Sequence, residues 1–235
     1  MRHRLLVVSL FSCVAALAQS ELPHFGIGVN MSTLGAGIQA ATAVTQKSNV
    51  RVGFNDFSYG RDFNKDGIQY NGNLQLRSFE ILYDQYLIGG LHVTPGLLAY
   101  NGNRGTANAA VGGGQTFSLG GVTYMSAASN PVNGNATVNL GSTAPMILIG
   151  FGNLLPRNGR HITYNVEFGA VFQGSPKATL NLAGTVCDPT GAICQPVTVY
   201  PGLQTNIQNE QNKINNDLNF FKYYPVIRFG IGYKF

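Results

Sequence analysis

Residues 223–235 read YYPVIRFGIGYKF, and this stretch decides the fold class of the chain. Its odd positions are apolar, with aromatic rings at both ends, while its even positions are mostly small, polar or basic. Alternation with a period of two is typical of a β-strand that has one apolar face. A tilted strand needs about ten such residues to cross a bilayer. The stretch therefore predicts a membrane-crossing strand, and the alternative is an edge strand of a soluble β-sandwich.

The first eighteen residues have the composition of an export signal. Arg2 and Arg4 supply positive charge, residues 5–18 are largely apolar, and residues 16–18 (Ala-Leu-Ala) fit the small-x-small cleavage rule. We therefore predict a cleaved signal peptide at 1–18 and one mature domain at 19–235. Cys13 leaves a lipoprotein signal as an alternative. No later stretch reaches ~18 uninterrupted apolar residues, so we expect no transmembrane helix.

The composition favours a membrane barrel over a soluble secreted domain. Only 11% of the 235 residues are charged, whereas 44% are hydrophobic and 30 are glycine. Such a chain suits a barrel with an apolar outer wall and a small, polar interior. The formal net charge of +5 is small and dispersed, which argues against nucleic acid as a partner.

The order of strands and turns predicts a closed barrel. Residues 162–172 alternate almost as regularly as the last strand, and the phase of alternation flips after Thr33. A tight turn at this flip gives eight strands, whereas a bulge gives seven; single-chain barrels favour the even number. Short connections are expected near 45–49, 88–90 and 152–160, and long ones near 61–68, 101–135 and 188–221, where residues 203–221 have partly helical spacing. We predict an all-β, antiparallel, eight-stranded transmembrane β-barrel with short periplasmic turns and long extracellular loops.

These features together resemble the small outer-membrane β-barrel proteins of Gram-negative bacteria, of the eight-stranded OmpA-barrel or OmpW-like type, without an assigned subfamily. The resemblance implies a monomer in the outer membrane that contacts membrane lipid and lipopolysaccharide. It also implies that barrel-assembly machinery reads the last strand. The C-terminal assembly signal is then carried by Phe229, Ile231, Tyr233 and Phe235.

Charged residues on the predicted inward faces form a candidate lumen network. Glu167 and Arg228 are expected to point inward from neighbouring strands, and Arg51, Arg77 and Glu80 are further candidates. Because unpaired burial of charge is costly, these groups must be paired and hydrogen-bonded. An eight-stranded barrel is only wide enough for its own side chains to fill. The prediction is therefore a structural polar network, and the alternative is a gated narrow pore.

Two other motifs bear on disulfide bonding and metal binding. Cys187 and Cys194 are close in sequence and, in an oxidising compartment, predict a local disulfide over free thiols. Asp62, Asn64 and Asp66 fit the opening of a calcium loop. The glutamate that would complete that loop is absent, so the favoured interpretation is a hairpin turn with no metal.

The sequence leaves three functional hypotheses, none of which needs a cofactor. The first is a non-enzymatic protein with a structural or surface-interaction role, carried by the extracellular loops. The second is a narrow pore or passive transporter of small or apolar solutes. The third is a lipid-modifying enzyme that uses His161, Thr163 and Glu167, which share one face of a strand. The inward direction predicted for that face disfavours an enzyme, because lipid lies outside the barrel.

Overall fold

The computed structural model describes residues 25–65, 68–156 and 160–235, so the predicted signal peptide lies outside the described residues. Within this part, the chain forms fifteen strands and one α-helix, α1 (Leu203–Leu218), which a 3-10 turn follows at Asn219–Lys222. The strands are β1 (Phe25–Ser32), β2 (Gly35–Thr45), β3 (Ser48–Lys65), β4 (Ile68–Ile88), β5 (Leu91–Asn101), β6 (Arg104–Ala110), β7 (Thr116–Leu119), β8 (Val122–Ser126), β9 (Asn133–Asn139), β10 (Ala144–Gly152), β11 (Ile162–Phe172), β12 (Lys177–Ala183), β13 (Thr185–Cys187), β14 (Cys194–Pro196) and β15 (Tyr223–Lys234).

Eight of these strands pair in a closed antiparallel ring. Their order is β1-β2-β3-β4-β5-β10-β11-β15, and β15 returns to β1 with Ile231 opposite Val29. The phase flip after Thr33 is a two-residue turn between β1 and β2. The predicted eight-stranded barrel is therefore confirmed, with the first segment a hairpin. Closure of the ring removes the free edges that an open sheet would expose.

The outer surface of the ring is apolar and its inner surface is polar or small. Along β15, the residues at odd positions from Ile227 onward are exposed, whereas Arg228 and Gly230 are buried. The short connections after β2 and β4, and the one between β10 and β11, lie at the end of the ring that holds Phe25 and Phe235. In barrels of the outer-membrane type, short turns are on the periplasmic side. Among the described residues there is no helix with the length and apolar character needed to cross a bilayer.

Beyond the end of the ring opposite to Phe25 and Phe235, five strands of the wall continue as an extension. β6 follows β5, β9 precedes β10 and β12 follows β11, so that the order β3-β4-β6-β9-β12 prolongs one side of the barrel. The expectation of a loop at 101–135 is wrong for β6 and for the start of β9, whereas β7 and β8 form a hairpin within it, which the sequence allows at 116–125. The described residues of the expected loop at 61–68 continue the β3–β4 hairpin. The wall strand β6 and the first residues of β9 escaped prediction because these strands carry small or polar residues on both faces, so hydrophobicity does not alternate along them.

A small cap packs against the inner side of this extended wall. It contains the sheet β14-β13-β8-β7 and helix α1, which agrees with the helical spacing noted at 203–221. Its core is formed by apolar side chains from the connections and the helix: Val111, Leu119, Tyr124, Val132, Val186, Val197, Leu203 and Ile207. The predicted disulfide is confirmed, because Cys187 and Cys194 join β13 to β14.

Helix α1 also protects an edge of the sheet. The side-chain oxygen of Asn215 accepts from the backbone N–H of Ala178 at 2.7 Å, and that of Gln211 accepts from Leu180 N–H at 3.1 Å. Both acceptors lie against β12, the last strand of the extension. Polar helix residues thus satisfy strand groups that would otherwise invite pairing with another chain.

Candidate functional site

A cluster of six ionisable side chains lies in the barrel interior. Each is at most 2% exposed, and the cluster draws on five strands of the ring. Because side chains alternate along a strand, every member occupies an inward position between two outward ones. The members are Arg51, Glu80, Asp84, His92, Glu167 and Arg228.

Glu167 is the centre of this cluster. Its Oε2 accepts from Arg51 Nη1 at 3.2 Å and from Arg228 Nη1 at 3.3 Å, and its Oε1 contacts Arg51 Nη2. Glu167 and Arg228 are directly opposite on β11 and β15, as the sequence predicts. Arg51 reaches the same carboxylate from β3, on the far side of the ring. One carboxylate therefore connects two arginines across the interior.

The remaining carboxylates complete the pairing of the two arginines. Arg228 Nη2 donates to Glu80 Oε2 at 2.6 Å, and Arg51 Nη2 donates to Asp84 Oδ1 at 2.9 Å. The Thr94 hydroxyl also donates to Asp84 Oδ1 at 2.9 Å. Each arginine thus contacts two carboxylates. Pairing of this kind offsets the cost of taking charge out of water.

Gly150 allows His92 to join the cluster. This glycine lies on β10 between His92 of β5 and Glu167 of β11, and a Cβ there would lie 2.7 Å from both His92 Nε2 and Glu167 Cγ. His92 Nε2 is 3.1 Å from Glu167 Oε1, and Nδ1 is 3.1 Å from the carbonyl oxygen of Gly90. Both ring nitrogens face acceptors, an arrangement that an imidazolium satisfies on both sides. With His92 protonated, the cluster has three positive and three negative groups.

The same cluster contains a donor set of the kind that binds metals. Ligand atoms of Asp84, His92 and Glu167 all lie within 4.8 Å of one another. However, Arg51 Nη2 contacts both carboxylates of this set. The arginine therefore supplies the positive charge that a metal would bring, and the geometry favours an ion-pair cluster over a metal centre.

Apolar layers lie on either side of the cluster. Towards the periplasm, Leu154 and Leu155 of the 153–161 connection are buried against Ala41. Towards the outer end, Leu34 of the β1–β2 turn is fully buried and packs with inward-facing side chains of the ring. These companions of Leu34 are Leu82, Leu98, Ala144, Met146, Leu148, Val171 and Val226.

One predicted member of the lumen network is wrong and two members escaped prediction. Arg77 lies on the outward face of β4, about half-exposed, and its Nε donates to Asp56 Oδ2 at 2.6 Å. Including it required a bulge between Arg77 and Glu80, but pairing with β3 is regular there. Asp84 and His92 are members that the sequence argument missed. Asp84 shares the phase of Glu80, and that phase was sufficient to find it.

The calcium-loop residues do not form such a loop where they are described. Asp62 and Asn64 lie in the paired β3–β4 hairpin, and Asp62 Oδ1 accepts from Asn71 Nδ2 at 2.5 Å. Asp66 lies outside the described residues. The extended, paired backbone at 62–65 is that of a hairpin and lacks the curvature that brings calcium ligands together.

The three residues of the hydrolase hypothesis differ in their exposure to solvent and in their hydrogen bonds. Thr163 and Glu167 are buried in the interior, whereas His161 precedes β11, is exposed and has Nδ1 2.9 Å from the Lys234 carbonyl oxygen. His161 also stacks on Tyr233, with ring centroids 5.5 Å apart. The Thr163 hydroxyl has no hydrogen-bond partner in the described part of the chain, so neither His161 nor Glu167 is bonded to it.

The residues of the C-terminal assembly signal form one outward-facing stripe. Phe229, Ile231, Tyr233 and Phe235 are all exposed on the barrel exterior. The Phe235 ring stacks on that of Phe25, and its N–H donates to the Phe25 carbonyl oxygen at 2.9 Å. The last residue thus joins the first described strand, at the seam where the ring closes.

Two solved structures share this architecture. Acinetobacter baumannii CarO is similar with a TM-score of 0.54 and 19% identity, over 89% of this chain and 97% of that chain. Acinetobacter baumannii CarO2 is similar with a TM-score of 0.56 and 21% identity, over 92% of this chain and all of the other. No protein-family model matches the sequence, and no curated protein matches it. At such identities the likeness is one of fold, and the chain is a small β-barrel of the outer-membrane type.

Proposed function

We propose that this protein is an integral outer-membrane barrel that does not conduct and that acts through its extracellular surface. The observation that carries the proposal is the succession of layers in the interior: Leu154 and Leu155, then the charged cluster, then the apolar layer around Leu34. An eight-stranded barrel leaves little space beyond that taken by its side chains. Each arginine in the cluster already contacts two carboxylates. No charge there is left to attract a passing ion.

Planar-bilayer conductance tests this proposal. The purified full-length protein is inserted into a bilayer, with an open porin in the same membrane as the positive control. We expect no stepwise current from the protein under conditions where the porin conducts. Reproducible unitary currents from the wild-type protein would overturn the proposal.

A narrow pore for small solutes is the second candidate, and orphaned polar atoms favour it. Arg51 Nε, Arg228 Nε, Glu80 Oε1 and Gln39 Nε2 are buried and have no hydrogen-bond partner among the described residues. Groups of this kind are usually satisfied by ordered water. A file of water through the cluster would admit small neutral solutes without ionic current. Liposome swelling in small neutral solutes discriminates the two: swelling faster than that of protein-free vesicles supports the pore.

We also propose that the protein is not an enzyme. The lack of a hydrogen-bond partner for the Thr163 hydroxyl among the described residues supports this, because the hydrolase hypothesis needs a base bonded to that hydroxyl. Mass analysis of lipid A from cells with and without the protein provides the test. An unchanged profile is expected, and loss of an acyl chain that depends on the protein would contradict the proposal.

The route to the membrane completes the proposed function. We infer export by the signal peptide at 1–18, recognition of the Phe235-terminated strand by the barrel-assembly machinery, and a monomeric final state. The outward aromatic stripe at the seam with Phe25 supports recognition of the last strand. Deletion of Phe235 is expected to lower the amount of protein in outer-membrane fractions and raise the periplasmic amount. Equal membrane levels for the deletion and the wild type would refute that recognition.

A further inference from the structure

One edge of the extended wall is open. The wall has the strand order β3-β4-β6-β9-β12, so β3 and β12 are its two edges. Polar side chains of helix α1 accept from the backbone of β12 and cover that edge. Strand β3 pairs with β2 only as far as Asp56, which is opposite Ala36, whereas its pairing with β4 continues to Lys65. Residues 57–65 therefore have a neighbouring strand on one side only.

The contacts of Arg77 show which backbone groups point to the open side. On β4, the Arg77 carbonyl oxygen accepts from Gly102 N–H at 2.8 Å, and the Arg77 N–H donates to Asn103 Oδ1 at 2.7 Å. Both groups point away from β3, so Arg77 and the opposite Asp56 form a non-hydrogen-bonded pair. Because the two kinds of pair alternate and the register with β4 is regular along β3, every second residue after Asp56 directs its N–H and C=O to the open side. These residues are Ser58, Gly60, Asp62 and Asn64.

The open edge lies in water, beyond the lipid-facing belt. Outward side chains of β3 are apolar up to Phe54 and are polar or absent from Asp56 onward. Residues 57–64 are all exposed, and among the described residues no hydrogen bond from outside the sheet reaches their backbone. Unpaired groups along such an edge are a template for another strand. The edge can therefore exchange water for a partner backbone.

The inward-facing side of the same segment is aromatic. Phe57, Tyr59 and Phe63 are 45%, 55% and 47% exposed, although they continue the face that is buried inside the barrel. The apolar core of the cap packs against Ile68 of β4 and Leu180 of β12, and none of its described members belongs to β3. An added strand would bury these rings through cross-strand contacts. The edge thus offers apolar surface as well as backbone groups.

Arg61 restricts which strand can add to this edge. It lies between Tyr59 and Phe63 on the same face, is exposed, and has no ion-pair partner among the described residues. A charge on an edge strand discourages indiscriminate pairing. A partner therefore needs a carboxylate opposite Arg61, with apolar side chains opposite the two rings. The matching pattern is apolar-x-acidic-x-apolar.

We propose that residues 57–64 of β3 bind an extended segment of another protein that carries this pattern and adds to the sheet as an antiparallel strand. Strand addition of this kind takes affinity from backbone hydrogen bonds and specificity from alternate side chains. A second copy fits less well, because a sheet that continues through a two-fold axis joins antiparallel strands, whereas two copies in one membrane have β3 pointing the same way. The inference rests on the proposed function, since it names the kind of partner that the extracellular surface binds.

The test measures binding of a labelled peptide, KTVTETVTK, to the full-length protein in detergent by fluorescence anisotropy. In the proposed register its glutamate is opposite Arg61, and its valines are opposite Tyr59 and Phe63. A control peptide is N-methylated at the two threonines that flank the glutamate. Methylation removes the N–H groups that face Gly60 and Asp62 but keeps the side chains and the charge. We expect saturable binding of the first peptide and about tenfold weaker binding of the second.

A pair of variants at Gly60 tests the edge itself. Gly60→Pro removes an N–H on the open side and leaves the bonds between β3 and β4 intact, since proline is tolerated where the N–H of an edge strand faces solvent. We expect about tenfold weaker binding of KTVTETVTK. Gly60→Ala is the matched control, because it keeps the N–H and its Cβ would be no nearer than 3.7 Å to another residue. It is expected to bind as the wild type does.

A charge exchange at Arg61 tests the specificity. Arg61→Glu is expected to bind KTVTETVTK about fivefold more weakly and to prefer KTVTKTVTK, in which lysine replaces the glutamate. This reversal distinguishes strand addition from adsorption of apolar peptides to detergent. Heat-modifiable gel mobility confirms folding of each variant.

Four results would overturn the inference. They are absence of peptide binding to the wild type, equal binding of the methylated peptide, wild-type affinity in Gly60→Pro, or an unchanged preference in Arg61→Glu. Dimerisation that excludes the peptide and is lost in Gly60→Pro would also reject it, by making a second copy the partner. Conductance is independent of this edge. A silent barrel without peptide binding would reject the inference alone, and a conducting barrel that binds the peptide would reject the proposed function alone.

Discussion

Replacing Glu167 with glutamine tests whether the interior cluster is an ion-pair network. The substitution keeps the size of the side chain but removes its charge. In the structure, Glu167 faces guanidinium groups of Arg51 and Arg228 and the ring of His92. Glutamine presents an N–H₂ group in place of one acceptor oxygen, so at least one of these donors then faces another donor. Removing one partner of a buried ion pair costs about 3–5 kcal/mol, and we expect Glu167→Gln to lower the free energy of unfolding by that amount.

Asp56→Asn is the matched control, because it makes the same chemical change in an exposed ion pair. Asp56 accepts from Arg77 at 2.6 Å, and the two side chains are 40% and 47% exposed. Exposed pairs contribute about 0–1 kcal/mol, since water solvates both partners when the pair is broken. The difference between the two variants therefore isolates the effect of burial.

The measurement is urea-induced unfolding in lipid vesicles. The chain has no tryptophan, so far-UV circular dichroism and the mobility of unheated samples on gels provide the signals. A loss for Glu167→Gln within about 1 kcal/mol of that for Asp56→Asn would refute the buried-network interpretation. It would mean that the interior is hydrated well enough to compensate the arginines, which favours the narrow-pore candidate.

Three further predictions concern the disulfide, a glycine and the pH dependence of the cap. The double variant Cys187→Ser/Cys194→Ser should accelerate proteolysis of the cap, because a bridge over this short segment contributes about 2–3 kcal/mol of stability. The heat-modifiable mobility of the barrel should stay unchanged. Equal cleavage rates for the variant and the wild type would contradict this prediction. Gly150→Val should lower the free energy of unfolding by about 1–3 kcal/mol, because its side chain overlaps the cluster, and a wild-type urea midpoint would refute the packing argument. The hydrogen bond from the Ile193 N–H holds the pKa of the Asp188 carboxyl below its ordinary value. The ionised carboxylate therefore stabilises the cap fully at pH values above the ordinary pKa, and this stabilisation is lost as the pH falls through the lowered pKa. Proteolysis of the Cys187–Cys194 segment should therefore rise in strong acid for the wild type and stay flat for Asp188→Asn, and identical pH profiles would count against it.

The ring and part of the cluster follow from sequence because period-two alternation fixes which residues face inward. The phase flip after Thr33 gives the eighth strand, and the terminal stretch gives the neighbour of β1. Once β11 and β15 are neighbours, Glu167 and Arg228 need only the correct register to meet. The prediction for Arg77 was wrong for the same reason. Arg77 is out of phase with Glu80, and only a bulge in β4 would turn it inward, whereas the pairing of β4 with β3 is regular there.

Contacts across the barrel do not follow from alternation. Arg51 and Glu167 belong to strands on opposite sides of the ring, and the tilt and stagger of all eight strands decide whether their levels coincide. Part of the extended wall was missed for a different reason. Strand β6 and the first residues of β9 have little hydrophobic contrast between their faces, so only their pairing partners identify them as strands. The alignment of outward asparagines on β4, β6, β9 and β12 likewise follows only from that register.

The distribution of hydrogen-bonding capacity separates the two surfaces of this barrel. In the interior, every charge of the cluster has an opposite charge in contact, so a solute entering there would have to compete with bonds between Glu167 and two arginines. On the outward face of β6 and β9, Arg104 Nε donates to the neutral Gln75 side chain, and the side chains of Asn108 and Asn135 are exposed to water. Binding to the outside therefore replaces water, whereas binding to the inside replaces ion pairs. Since an ion pair buried at low dielectric is far harder to displace than exposed water, recognition by this barrel is expected on its outer wall.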